Sequence, residues 1–261
     1  MVVQTLRSAL RPRSYVRVAG ADAADYLQRM LSNDVAGLPA GGSCPALLLT
    51  AKARVIAPLT VWRRAEEDFL LLTEPELGER VRAELQRFRF AARVEIEPEE
   101  HLSRVVLGGS EGIPTDEFGV PAVEALDAPP VGEEVEPAEL ELLRILARTP
   151  RYGREIDDRV LPAEAGLTET HVDFGKGCYP GQEPIARLRY RGHANRGLRV
   201  LALSEPPHAE AEVAHEGKVV GRITSAALSP DHGAVALAYV RAEVPADAEL
   251  RVGDLTARQL H

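Results

Sequence analysis

One stretch concentrates the residue types that do chemistry. It is Lys176-Gly177-Cys178-Tyr179-Pro180-Gly181-Gln182-Glu183, running on through Pro184-Ile185-Ala186-Arg187-Leu188-Arg189-Tyr190-Arg191-Gly192. Three glycines, two prolines and one of only two cysteines share this span with four cationic side chains. Gly177 and Gly181 allow positive φ or a close approach of a ligand to the backbone, and Pro180 stiffens the turn between them. Gln182 and Glu183 read as the start of a helix, because Pro184 is tolerated in a first helical turn. Cys178 then sits just ahead of a helix N-terminus, where the positive helix end and nearby Lys or Arg favour thiolate over thiol. Two readings of this cysteine stay open: a reactive thiol on a strained turn, or the small buried hydrophobe that free cysteines commonly are.

The charge around it reverses the sign of the chain. His171 to Val200 holds six Lys or Arg against two acids, in a protein of formal net charge -9. Arg187 and Arg191 are four apart and share a helix face, whereas Arg189 points elsewhere. They read equally as an anion site or as a solvated helix face.

The elements that must position this stretch can be taken in order. With 261 residues, the chain has room for two or three small domains. Its 45% hydrophobic and 27% charged content is that of an ordinary globular protein. An acidic balance of 31 Lys and Arg against 40 Asp and Glu disfavours nucleic acid and anionic membranes as partners. A small anionic ligand suits the local basic patch better. Cys44 and Cys178 are expected to be reduced, in the cytoplasm. The early arginines Arg7, Arg11, Arg13 and Arg17 faintly resemble a targeting segment, but the folded pattern is expected from about Ser14.

A strand is expected at Tyr15 to Val18 and a helix from Ala23 to Leu31, closed by Ser32-Asn33-Asp34-Val35. Strands follow at Cys44 to Thr50, Val55 to Arg63 and Phe69 to Thr73, then an amphipathic helix from Glu76 to Arg89 with Leu77, Val81, Leu85 and Phe88 inward. Strands at 93–96 and 102–107 complete an α+β pattern. Residues 108–137 read as loops and short strands, and Leu140 to Arg148 as a helix stopped before Pro150. After Asn195, about five short β-like runs predict a small β-barrel or sandwich. His193, His208, His215 and His232 lack metal-ligand spacing and read as loop histidines.

The octapeptide Lys176 to Glu183 resembles the signature K-G-C-Y-x-G-Q-E of the YgfZ family of folate-binding proteins, relatives of aminomethyltransferase, the T-protein of the glycine cleavage system. The resemblance extends to Val18 through Gln28, Ser32-Asn33-Asp34-Val35, Leu161 through Leu167, Ile223-Thr224-Ser225-Ala226 and Ser229-Pro230. It implies an α+β cloverleaf of three lobes around a central opening that holds tetrahydrofolate or a derivative. The lobes are expected as residues 1–50 with 140–192, residues 51–139, and a C-terminal β-barrel over 193–261. The resemblance also implies a role in iron-sulfur cluster assembly or repair, with cluster proteins or their assembly machinery as partners and a monomeric state. It implies Cys178 as the functional thiol, a transient metal ligand at most, with Lys176 and Tyr179 beside it. Gln182, Glu183, Arg187, Arg191 and Asn33 are implied as folate-binding residues.

Departures from the transferase separate three readings. Aminomethyltransferases carry an acid in the strand after the first hairpin, where this chain has Val55-Ile56-Ala57-Pro58-Leu59, and a second acid where it has Leu146. Ala57, Pro58 and Leu146 cannot handle protons or stabilise charge as a carboxylate does. A folate-dependent cluster accessory protein, outside conventional enzymes, is therefore the first reading. A one-carbon transferase and a folate-binding regulator without chemistry are the alternatives.

Overall fold

The computed structural model describes residues 5–260. Two α+β lobes and a closed β-barrel follow from the pattern of apolar residues, with sheet boundaries that differ from those expected. The first sheet has β2 (Ser14–Ala19), β3 (Ser43–Leu49), β4 (Val55–Ala65), β5 (Asp68–Thr73) and β6 (Glu95–Glu99), in the order β3-β4-β5-β2-β6. Strand alternation sends Ala46 and Leu48 of β3 to one face and Leu47 and Leu49 to the other, and both sets are buried. On the first face lie α1 (Ala23–Met30) and α2 (Gly78–Arg87), which bury Tyr26, Leu27, Met30, Val81 and Leu85 against the sheet. The Tyr26 hydroxyl donates to the Leu85 carbonyl and ties the two helices together. Phe88, expected to face inward, lies past the end of α2 and is exposed.

The second sheet begins earlier than the sequence suggested. β1 (Arg7–Leu10) precedes the point where order was expected, pairing antiparallel with β7 (Ser103–Leu107) and parallel with β10 (Glu133–Glu134). β9 (Ala122–Leu126) and β8 (Ile113–Thr115) complete the order β10-β1-β7-β9-β8. The first sheet therefore spans 14–99, and the second combines 7–10 with 103–134. The division expected at 50/51 falls in the hairpin between β3 and β4, which pair from Ser43 with Trp62 to Leu49 with Val55. A single sheet crosses it.

Between the lobes and the barrel lies α3 (Pro137–Leu146). Its Ile145 packs on Val200, Val235 and Leu237 of the barrel. Arg144 beside it is buried and donates to Glu155 at 2.9 Å and to the Ser225 hydroxyl at 2.8 Å, while Ser225 donates to Glu155 at 2.6 Å. Every member of this network has a partner, which is the condition for burying charge without a large loss of stability. The barrel closes through β11 (Arg196–Leu203), β12 (Glu212–His215), β13 (Lys218–Ser229), β14 (Gly233–Arg241), β15 (Leu250–Val252) and β16 (Leu255–Leu260). The strand order is β11-β14-β13-β12-β15-β16. The sixth strand, β16, was not anticipated and is the one that seals the edge. No described helix is long and apolar enough to cross a membrane.

Candidate functional site: an exposed thiol beside a basic cavity

The chain enters the site from α4 (Thr168–His171) and leaves it along α5 (Gln182–Arg191). Between them the backbone turns through local polar contacts. The Asp173 carboxylate accepts from the amides of Gly175 at 2.6 Å and Lys176 at 2.9 Å, and the Asp173 amide donates to the Ser32 carbonyl. Ser32 is buried, donating to the His171 carbonyl and accepting from the Leu47 amide. These bonds hold the loop against the end of α1 and the body of β3.

Lys176 makes the tightest of the attachments. Its Nζ donates to the carbonyls of Gln28 at 2.6 Å, Leu31 at 2.5 Å and Asn33 at 2.8 Å, so all three ammonium protons serve the C-terminal end of α1. The carbonyls of Gln28 and Leu31 stand at the helix end, where they lack partners within the helix and carry the negative end of its dipole, and Asn33 follows just beyond it. Burial pushes the Lys176 pKa down to about 8, against the opposing pull of Asp34. Expected beside the thiol as a chemical partner, Lys176 instead anchors the loop and has no donor left to offer a substrate.

Tyr179 also turns inward. It packs in a central core with Leu47, Leu49, Ala53, Val55, Ile185 and Tyr239, which joins the first sheet, α5 and the barrel. Burial pushes its phenol up to about 12, and the hydroxyl has no hydrogen-bond partner among the described residues. Its ring lies 5.3 Å from the Lys176 Nζ. Asn33, implied as a ligand contact, spends its side chain on the carbonyls of Pro45 at 2.6 Å and Thr170 at 3.2 Å, and on the Asp34 amide. It staples the end of α1 to α4.

Only one of the two glycines adopts the expected positive φ. Gly181 has φ +84°, and a Cβ there would meet the Thr50 carbonyl oxygen at 2.7 Å and the Ala53 Cα at 3.0 Å. The hairpin turn between β3 and β4 thus presses directly on the start of α5. Gly177 has open space around it.

With Lys176 and Tyr179 turned inward, Cys178 is left exposed, four residues ahead of α5. Its exposure sets it apart from the small buried hydrophobe that a free cysteine commonly is. Cys44 is the opposite case: half-buried, its thiol is pushed up to about 12 by burial and faces the Asp34 carbonyl at 3.9 Å.

One wall of a cavity of about 770 Å³ is formed by α5. Arg187 and Arg191 line it as their spacing predicted, and Arg189 joins them, contrary to the expectation that it points elsewhere. Lys52 and Arg54 add to the positive lining, and Glu169 is its single acid. Leu161, Pro162, Ile185 and Leu188 supply apolar surface. Thr168 also lines the cavity, with a buried hydroxyl that has no partner among the described residues. Gln182 and Glu183 form the first turn of α5 and do not line this cavity.

A second cavity of about 460 Å³ lies across the Ala165–Leu167 loop and includes Cys44, Thr60, Glu117, Arg148 and His171. His171 is held neutral, its pKa pushed down to about 4 by burial. Burial would raise the pKa of Glu117, but Arg11 and Arg13 hold it down to about 2. The positions that distinguish a transferase contribute no carboxylate here. Ala57 is sealed in the first core, Pro58 gives its carbonyl to Thr73, and Leu146 ends α3.

The barrel matches the model of the glycine cleavage T-protein C-terminal barrel domain over residues 196–258. The aminomethyltransferase T of Bartonella henselae superposes with a TM-score of 0.84 over 98% of this chain and 85% of that one, at 22% identity. The tRNA-modifying protein YgfZ of Vibrio atlanticus is 23% identical over 92% of this chain and 85% of its own length. Along most of its length the chain is similar to YgfZ proteins.

Other relatives place the YgfZ-like chain among the same proteins. A mitochondrial iron-sulfur cluster assembly factor IBA57 homolog of Pyricularia oryzae is 26% identical over 86% of this chain and 64% of its own. An aminomethyltransferase of Nostoc is 35% identical, but over only 58% of this chain and 46% of its own. Likeness to YgfZ covers most of both chains, whereas an aminomethyltransferase of Synechocystis, 26% identical over 90% of this chain, is matched over only 51% of its own length. The α+β cloverleaf with its C-terminal barrel is the fold of aminomethyltransferase.

Proposed function

We propose that this protein binds tetrahydrofolate or a derivative in the basic cavity and serves the assembly or repair of iron-sulfur clusters in other proteins through the thiol of Cys178. The observation that carries the reading is that α5 does two jobs: its side chains wall the basic cavity, and its N-terminus is preceded by the exposed cysteine.

The residues present fit a folate. About 770 Å³ is within the usual range for a small-molecule site. Arg187 and Arg191 would take the carboxylates of the glutamate tail, as guanidinium groups suit carboxylates. Leu161, Pro162, Ile185 and Leu188 would cover the ring system. The unpartnered Thr168 hydroxyl is a polar group for which a bound ligand could supply the missing bond. Folate brings one-carbon and redox chemistry of its own. The protein's part is to bind it, exclude water from it and hold Cys178 on a fixed loop at the surface.

A transfer reaction on the folate is disfavoured by Ala57, Pro58 and Leu146, because none can act as acid or base. The chemistry then falls to the thiol, which can coordinate iron or sulfide transiently.

Calorimetric titration with tetrahydrofolate tests the first half. Arg187→Gln and Arg191→Gln should each weaken binding by about tenfold. Rescue of cluster-enzyme activity in cells lacking the protein tests the second half, with Cys178→Ala expected to fail while still binding tetrahydrofolate. Absence of binding at millimolar ligand, or full rescue by Cys178→Ala, would overturn the reading.

A further inference from the structure

Two adjacent strands join the α+β lobes. The chain crosses from the second sheet to the first at residues 11–13 and returns at residues 100–102. β1 pairs with β7 on one side of the crossing and β2 with β6 on the other, and between them the Arg11 amide donates to the Ser103 carbonyl at 3.0 Å. Both crossings thus run side by side in one ribbon, which is the form of a hinge. β6 is one edge of the first sheet, and the cavity of about 460 Å³ lies toward the other: Cys44 of β3 and Thr60 of β4 line it from one lobe, Pro114 and Thr115 of β8 from the other. A turn about the ribbon would change the width of that cavity.

Few contacts resist such a turn. Tyr15, Leu70 and Leu72 of the first lobe meet Ile113 of the second, with Trp62 and Leu126 at the margin. Arg11 and Arg13 bind Glu117 and Glu124 of the second lobe closely but reach Glu74 of the first only at 4.0 and 3.8 Å. The close polar tie across the ribbon is His101. Its Nδ1 lies 2.6 Å from Asp127 Oδ2, just past β9, and its Nε2 lies 2.8 Å from Glu99 Oε1 in β6.

The groups around the ring keep both partners charged. Arg64 binds Glu99 at 2.6 Å and Asp68 at 3.0 Å, and the Leu102 amide donates to Asp127 Oδ1 at 2.9 Å. Arg64 holds the Glu99 carboxyl below its usual range, and His101 does the same for Asp127. Tyr15 stands edge-on to the ring at 5.1 Å, its phenol pushed up by burial and so neutral. An ionised carboxylate only accepts, so both contacts are hydrogen bonds only while the ring carries a proton on each nitrogen. A neutral ring turns a lone pair on one carboxylate. Asp127 also sits in left-handed backbone at φ +54°, a strained turn that its side-chain bonds help to hold.

We infer that His101 is a proton-operated latch across the hinge: protonated on both nitrogens it clasps Glu99 of one lobe to Asp127 of the other, and on losing a proton it frees the second lobe to swing and widen the cavity lined by Cys44 and His171. The latch goes beyond the function proposed above and needs neither folate nor the Cys178 thiol. Burial works against the charge on the ring, but Asp127 and Glu99 outweigh it and hold the His101 pKa above its ordinary 6.5. The latch is therefore whole below about pH 6.5 and is lost as pH rises through the folded value.

Trp62 is the only tryptophan of the chain and lies at the seam, so acrylamide quenching of its emission reads the separation of the lobes. In wild type the quenching constant should rise about twofold between about pH 6 and about pH 9, in step with the His101 ring protons followed by NMR. His101→Gln cannot carry the charge and should show the high value at both ends. Asp127→Asn should show the low value at both, because an amide donates to the neutral ring or accepts from the charged one, and asparagine tolerates left-handed backbone. A flat wild-type profile while the ring titrates overturns the latch, and so does a ring that titrates at or below its ordinary value. A rise that persists in His101→Gln belongs to another group and overturns it as well.

Discussion

Lys176 donates to the Leu31 carbonyl at 2.5 Å, across 145 positions of sequence, and by doing so fastens the thiol loop to the C-terminal end of α1. Removing that donor strands three carbonyls. Lys176→Met is expected to lower stability by about 2 kcal/mol, read as a shift in urea midpoint. Amide exchange at residues 175–178 should quicken in the same variant. An unchanged midpoint with unchanged exchange would show that the loop stands without its anchor.

The two glycines flanking Cys178 make a matched pair. Gly181→Ala forces a side chain into left-handed backbone and against the main chain of the β3–β4 turn, neither of which can yield cheaply. A loss of about 2–4 kcal/mol is expected. Gly177→Ala enters open space at ordinary φ and should stay within about 0.5 kcal/mol of wild type.

The two cysteines should react at very different rates. Cys178 is exposed, and Cys44 is half-buried with its thiol pushed up to about 12. Mass spectrometry after limited iodoacetamide treatment at neutral pH should find Cys178 alkylated at least about tenfold faster. Equal rates would mean that β3 opens readily.

Acidification should destabilise the fold in two separate windows. His171 is neutral when folded down to about pH 4, against an ordinary value of 6.5. Between those values the unfolded chain binds a proton that the folded one does not, so stability falls as pH falls, by up to about 1.4 kcal/mol per unit. Glu117, held down to about 2 from an ordinary 4.5, loses its contribution below that first window. His171→Gln should flatten urea midpoints measured between pH 6.5 and 4.5 and leave the steeper acid limb in place. If the upper window keeps its slope in this variant, His171 is not its source.

What the sequence made legible follows from where the information lies. The start of α5 at Gln182 is readable because Gly181 and Pro184 are local punctuation. The cavity wall is readable because Arg187 and Arg191 recur at helical spacing. The inward turn of Lys176 is not readable, since its acceptors are backbone carbonyls of a helix far upstream and carry no side-chain signature. Tyr179 looked like part of the reactive turn because its neighbours are turn residues, while the core it enters draws on the distant β3–β4 hairpin and the barrel. Asn33 misled for the same reason: its acceptors are the Pro45 and Thr170 carbonyls. The lobe division at 50/51 failed because strand pairing, not composition, decides which sheet a strand joins. β1 and β16 were missed as short runs at the two ends of the chain, with little flanking pattern to set them apart. The unpartnered Thr168 hydroxyl had a signal in the sequence only as an ordinary helix-start threonine.

The packing of the β3–β4 turn beneath Gly181 has a consequence for how the molecule comes into being. Residues 50–54 and 176–181 are separated by more than a hundred positions, so the contact forms only after the intervening chain has been ordered, and long-range closure of this kind comes late. During synthesis the hairpin and α1 emerge long before the cysteine that they hold in place. A nascent or half-assembled chain therefore carries Cys178 on a loose tether, with no adjoining pocket. The thiol gains its fixed setting only in a chain that has completed folding.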